Sequence, residues 1–442
     1  MKMRKIVTGL LTTSILLSMG TGCTKKNEQG RSAFGNNNNH GSVDLPGAGT
    51  IKRENGQEAV FELASAMIGK ENKSQDELNR AYSKFIFEMM KRCAQESNGE
   101  NVLISPDSVL FALDMTAGGA HGNTLDEMMN VLVPGADNQT AFAYGANRMN
   151  SLKNDSLSLA NSVWINKNKA DSVYDDFLKF VRENFDAEVG TLEFNQSAVD
   201  TINKWVETQT KDRIHNLIEQ LTDNDLMVLV NAIAFDGTWA TKYSEDDVFE
   251  DYFRGGNGED KKVWFLSSEE STYLSTDKAR GFLKYYDDGK YAFMTILPED
   301  ENIDINDFMA NLSSDEYWEF WDSQEDSMEV HAKFPEFQSD YDIHLPGILS
   351  DMGMRDAFSD VAADFSNMTS KNVYISDVIH KTFINVNRDG TTAAASTGVV
   401  MTEKCIEEPS NARYVICDRP FAYAIVDVDT GLPVFLGTVE NV

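Results

Sequence analysis

The sequence predicts a single α+β domain, on three observations: stretches of helical periodicity from Ser74 onward, strand-like apolar runs among and after them, and no internal repeat or second linker. The 442 residues, 41% hydrophobic and 10% aromatic, are ample for one large core.

The first element is an address. Lys2, Arg4 and Lys5 form a basic n-region, and the apolar run from Ile6 to Met19 is too short to span a membrane as a helix but suits export. Residues 1–22 are therefore expected to be a signal peptide. Gly20-Thr21-Gly22-Cys23 is similar to a lipobox, with Gly20 in place of the usual Leu, which makes Cys23 the candidate lipidation site. Residues 23–56, including the Asn36 to Asn39 run, have hardly any large apolar side chain and read as a flexible tether. Residues 57–73 read as a short extra helix, from Ala59 to Ile68, or a linker. The expected location is extracellular, either at the cell surface through the lipid anchor or released.

The globular domain is expected over 74–442. Ser74 and Glu77 have capping-box spacing ahead of Leu78, Ala81, Tyr82, Phe85, Ile86, Met89 and Cys93 at helical intervals. Cys93 reads as a core thiol. Helices follow at Leu125 to Leu132 and Val173 to Phe185, and strands at Ser156 to Ile165, Met227 to Phe235 and Tyr291 to Leu297. Phe421 to Val428, a turn at Asp429-Thr430-Gly431, and Pro433 to Val439 read as a closing hairpin.

Composition excludes some function classes. A formal charge of -32 at pH 7 repels phosphate backbones and anionic headgroups, so nucleic acid is not an expected partner, and a membrane is one only through the lipid anchor. Six histidines, with no HExxH, no close Cys/His pairing and no P-loop, suggest neither a metal site nor a nucleotide cofactor. No GxSxG elbow supports a hydrolase, and the chain is not expected to be an enzyme.

Residues 387–405 combine two properties. Asn387-Arg388-Asp389-Gly390 is a turn signal, followed by small residues and then β-branched ones. Alternate residues from Thr391 give Thr, Ala, Ala, Thr, Val and Met, a set that a sheet can bury, and no bulky charge precedes Glu403. The segment is loop-like by context and strand-compatible by pattern.

Several segments in order resemble the serpin family. They are Asn101-Val102-Leu103-Ile104-Ser105-Pro106 with Ser108, Gly119-Ala120-His121-Gly122-Asn123-Thr124, and Asn231-Ala232-Ile233-Ala234-Phe235-Asp236-Gly237-Thr238-Trp239. Phe334-Pro335-Glu336-Phe337, Leu349-Ser350-Asp351-Met352-Gly353-Met354, Pro420-Phe421 and Pro433-Val434-Phe435-Leu436-Gly437 complete the set. The resemblance implies the serpin fold, three β-sheets with about eight to nine helices and an exposed C-terminal reactive loop. It implies irreversible suicide inhibition of serine, or alternatively cysteine, proteases: the loop is cut, an acyl-enzyme forms, and the hinge inserts into the central sheet. The alternative is a serpin that has become a storage, chaperone or carrier protein, whose hinge is expected to hold Pro or large charged residues.

By the same resemblance, the hinge is Gly390, Thr391, Thr392, Ala393, Ala394, Ala395, Ser396 and Thr397. Ser105, Ser108, Asn231 and His380 form a polar cluster, the shutter, under the parting central strands, and Trp239 lies at the breach above them. Counting from Gly390 at family spacing puts the reactive bond at Lys404-Cys405, suited to a trypsin-like enzyme; counting back from Pro420 puts it near Pro409. Arg388 and Thr392 replace acidic residues common in the family's hinge. No basic helix implies a polyanionic cofactor, and the expected state is a monomer whose partner is the target protease, bound covalently. Cys405 and Cys417 are expected either to pair or to remain free.

Overall fold

The computed structural model describes residues 11–19, 73–210, 214–391 and 412–442. Among these residues nine α-helices surround two hydrogen-bonded sheets. The tether, the Ala59 to Ile68 helix, Cys23, the reactive bond at Lys404-Cys405 and hinge residues Thr392 to Thr397 lie outside the described residues.

The central sheet runs β4 (Glu188–Leu192), β3 (Leu157–Asn166), β5 (Asp225–Phe235), β1 (Leu11–Met19) and β13 (Val373–Asn387), with β12 (Phe337–His344) on the far edge of β13. At its upper end two short strands continue the pattern, β6 (Gly237–Thr238) after β5 and β14 (Gly390–Thr391) against β13. All eleven residues of β5 are buried, which is why this strand reads as a continuous apolar run rather than an alternating one.

The second sheet runs β15 (Arg413–Ile416), β11 (Glu325–Pro335), β8 (Asp260–Ser275), β9 (Ala279–Tyr285), β10 (Tyr291–Pro298), β16 (Phe421–Asp427), β17 (Leu432–Val439) and β2 (Leu103–Ile104), with β7 (Val248–Arg254) also on β8. Three sheets were expected, and here two of them merge. The cause is β8, whose sixteen residues pair first with β7, then with β11 and finally with β9.

The helices are α1 (Gln75–Glu96), α2 (Pro106–Ala117), α3 (Gly122–Leu132), α4 (Asn138–Leu152), α5 (Asp175–Phe185), α6 (Gln196–Gln209), α7 (Ile305–Asn311), α8 (Ser314–Asp322) and α9 (Pro346–Met352). Ser74 caps α1 through the expected capping box with Glu77, and Cys93 is buried on its inner face. The helix expected from Val173 starts two residues later, because a 3-10 turn over Ala170–Ser172 precedes it. Helix α2 is buried at every residue and packs against both β5 and β1. Its first turn is fixed by charge: the Arg148 guanidinium on α4 donates to both Asp107 oxygens at 2.8 and 2.9 Å and to Asp427 at 3.3 Å. With all three side chains at 2% exposure or less, this network ties α2, α4 and the closing hairpin to one geometry, and losing any member strands a buried charge.

The apolar run expected to serve as an export leader thus lies, over Leu11–Met19, inside the central sheet. No helix among the described residues is long and apolar enough to cross a membrane.

Candidate functional site: the hinge and the sheet it enters

The site begins where β13 ends. After Asn387 the chain reverses through Arg388 and Asp389, and Gly390 and Thr391 return antiparallel to β13, opposite Asn387 and Val386. Their other edge pairs with Thr238 and Gly237. The first two hinge residues are therefore seated in the sheet, between the upper ends of two central strands.

Gly390 is required there. Its φ is +153°, and a Cβ at this position would lie 2.0 Å from the Gly237 carbonyl oxygen. Gly237, opposite Thr391, is also constrained, since a Cβ would meet the Tyr286 and Phe235 rings at 2.6 to 2.7 Å. The two backbones approach because neither residue carries a side chain.

Thr391 faces inward as the alternation predicts. It is 1% exposed, and its hydroxyl lies 2.5 Å from the Tyr286 hydroxyl. Tyr286 stacks on Trp239 with centroids 4.6 Å apart. Trp239 donates from Nε1 to the Asn387 carbonyl at 2.8 Å and from its backbone N–H to the Asp389 carbonyl at 3.3 Å. Trp239, expected at the breach, thus holds the turn that leads into Gly390 and Thr391 through two hydrogen bonds. Lys284, buried at 2% exposure, lies over the Trp239 ring at 5.5 Å and pairs with Glu270 at 2.7 Å.

Arg388, where the family commonly has an acid, is matched by Glu336, whose Oε1 accepts from the Arg388 backbone N–H at 3.1 Å and Nε at 3.0 Å. The departure noticed in the sequence is a charge that this protein balances from β12's approach. Tyr286 and Glu336 were missed by sequence reasoning because no local signal links them to the hinge; Tyr286 and Thr391 stand 105 positions apart.

The residues expected to form one polar shutter fall into two groups. Ser105 stands at the N-cap position of α2 without a side-chain capping bond, and its backbone N–H donates to His380 Nε2 at 3.1 Å. Ser108 is buried one turn further along α2. His380 is fully buried, and desolvation pushes its pKa down to about 3, so the ring is neutral. Asn231 instead donates to Asn161 Oδ1 at 2.7 Å, and Asn161 donates to the Phe185 carbonyl at 2.7 Å. The groups are separated because β1 runs between their strands: Thr13 is opposite Asn231 on one side and His380 on the other. The Oδ1 of Asn231 and the Oγ of Ser105 are buried without a partner.

On the far side of the loop, Arg413 begins β15, paired in parallel with β11. Cys417, just after β15, is a fully buried free thiol whose pKa burial pushes well up; Cys405 lies outside the described residues. No cluster of His, Cys, Asp or Glu among the described residues is arranged to hold a metal ion.

The family model for the serpins (serine protease inhibitors) matches residues 80–442. The chain is 31% identical over 402 residues to an uncharacterized serpin-like protein of Methanosarcina mazei, covering 86% of this chain and 92% of that one. It is 31% identical over 384 residues to the leukocyte elastase inhibitor of Xenopus tropicalis, covering 83% of this chain and 100% of that one. Among solved structures, the thermophilic serpin tengpin in its native state superposes with a TM-score of 0.76 at 35% identity, over 85% of this chain and 96% of tengpin. A sequence match that runs from within α1 to the last residue, joined to this likeness of fold, makes the chain a member of the serpin family.

Proposed function

We propose that the protein is a suicide-substrate inhibitor of serine proteases with trypsin-like specificity, exported and held at the cell surface through lipidated Cys23. The observation that carries this reading is the seating of Gly390 and Thr391 in the central sheet. The hinge is aligned in register, its first side chain turned inward, ahead of small residues from Thr392 to Thr397.

The chemistry belongs to the target. Its nucleophile attacks the Lys404 carbonyl, the Lys404-Cys405 peptide bond breaks, and the new amine leaves on the Cys405 fragment. Freed at that end, the loop zips into the slot from Thr391 onward and carries the acyl-linked enzyme with it, as strand insertion releases strain elsewhere in this family. Each added residue gains backbone hydrogen bonds on both edges at a net ~0.5 to 1.5 kcal/mol apiece. Val399 and Met401 each add about 1.5 to 3 kcal/mol on burial. Over about a dozen residues the sum is comparable with the ~5 to 15 kcal/mol that keeps a typical protease domain folded. Small inward residues and the absence of Pro from the hinge support inhibition over a carrier role.

The test is incubation of the processed protein with trypsin, followed by denaturing electrophoresis and mass analysis of the released fragment. The expected result is a band at the summed mass and a fragment beginning at Cys405, both lost in Lys404→Glu, which puts a like charge where the trypsin pocket needs a cation. A fragment beginning at Ala412 or Tyr414 moves the reactive bond, and complete cleavage without any covalent band overturns the inhibitory reading.

A further inference from the structure

The slot between β5 and β13 is filled by β1 over nine residues. β1 pairs antiparallel with both neighbours, Thr12 opposite Lys381 and Ala232, and Ile15 opposite Val378 and Leu229. β14 is also antiparallel to β13, so the leader strand runs in the direction that the hinge takes. The two lie in line, Thr391 opposite Gly237 and Leu11 opposite Ile233.

Register makes the coincidence specific. Continuing the pairing of Gly390 and Thr391 down the slot would bring Ser396 opposite Lys381 and Ala232, the partners of Thr12. Along β5 the same offset matches Thr12-Thr13-Ser14-Ile15-Leu16-Leu17 with Ser396-Thr397-Gly398-Val399-Val400-Met401. The match is by kind at each position: two hydroxyl residues, a small one, a β-branched aliphatic and two further aliphatics. Ile15 and Leu17, standing for Val399 and Met401, are both 0% exposed, in a strand that packs against α2. The backbone partners that hold β1 along β5 are those that the hinge segment would take in the same register.

We infer that the uncleaved leader is an intramolecular plug, a copy of the hinge pattern that occupies the insertion slot and keeps the precursor from trapping proteases. The regulatory consequence rests on the inhibitory reading above; the occupancy does not. A copy that folds before export keeps its leader and is locked off, so proteases on the synthesising side are spared. Cleavage ahead of Cys23 disconnects the plug from the domain, the segment loses its high local concentration, and the slot becomes available to the loop.

The test uses the full chain of residues 1–442 with the leader intact by mass. Hydrogen exchange read at residues 12–18 is compared between wild type, Ile15→Asp/Leu17→Asp and Thr13→Pro, and each is then mixed with trypsin. The expected result is slow exchange in the wild-type leader, lost in both variants, with at least tenfold more covalent complex from the variants than from wild type. Leader amides that exchange as fast as in an unstructured peptide overturn the inference. So does a wild-type precursor that forms complex as efficiently as the variants. If no form traps trypsin, the inhibitory reading fails, and the exchange measurement still decides whether the leader fills the slot.

Discussion

Replacing Thr391 by arginine isolates the hinge from the reactive bond. The native side chain is 1% exposed, with its hydroxyl on the Tyr286 hydroxyl and its backbone between Val386 and Gly237. An arginine there would enter beside the Tyr286 ring, which stacks on Trp239, and Glu270 is already paired with the Lys284 that lies over Trp239. Leaving such a charge buried and unpaired costs about 3 to 5 kcal/mol, and the lost hydroxyl contact about 1 kcal/mol more. The arginine escapes this by unseating β14, so the cost is transferred to the first step of insertion. Trapping is a race between insertion and deacylation, and each ~1.4 kcal/mol on the insertion barrier moves the outcome about tenfold. Thr391→Arg in the processed protein should therefore be cut at the wild-type rate and yet release active trypsin, with the complex fraction lower by about a thousandfold to ten-thousandfold. Titration of residual protease activity against inhibitor, with densitometry of the covalent band, measures this. Wild-type stoichiometry from Thr391→Arg would refute the assignment of Thr391 to the hinge.

Gly390→Ala should act in the same direction, because its Cβ meets the Gly237 carbonyl at a φ of +153°; a complex yield equal to wild type would show that β14 is not seated before cleavage. Arg388→Glu should lower thermal stability by about 0.5 to 1 kcal/mol through repulsion from Glu336, the pair being 44% and 22% exposed, and Glu336→Lys in the same chain should restore it in a double-mutant cycle. For His380 the folded pKa of about 3 lies below the ordinary 6.5, so the unfolded chain binds the extra proton between those values. Its contribution is complete above pH 6.5 and is lost as pH falls toward 3, at up to ~1.4 kcal/mol per pH unit. Denaturant titrations of His380→Gln should show a correspondingly shallower loss of stability over that window. Cys417, buried and with a raised pKa, should resist iodoacetamide in the native protein and react fully after denaturation without reductant; recovery of a Cys405 to Cys417 disulfide peptide would contradict the free thiol.

Periodicity and turn chemistry carried the sequence to the main elements, because α1, β5 and the closing hairpin each bury a face that their own residues define. The inward face of Thr391 was legible for the same reason, through alternation. What sequence could not supply were pairings that only topology creates. Tyr286 under Thr391, Glu336 against Arg388 and Asn161 beneath Asn231 join residues far apart in the chain, with no spacing rule to announce them. The leader shows a different limit. Residues 6–19 read as an export signal because they are apolar and short, and a buried strand asks for the same composition. A run of Leu, Ile and Thr does not record which apolar surroundings it will meet. Likewise three sheets became two because the length of β8, not any turn signal, decides where one sheet passes into the next.

The central claim is that the loop inserts once it is cut. The direct measurement is hydrogen exchange on the processed protein before and after cleavage in the loop, read at residues 392–401 together with the midpoint of thermal unfolding. The account predicts that these amides pass from fast exchange to protection comparable with β5 and β13, and that the midpoint rises markedly. Loop amides that continue to exchange freely after cleavage, with an unchanged midpoint, would contradict it.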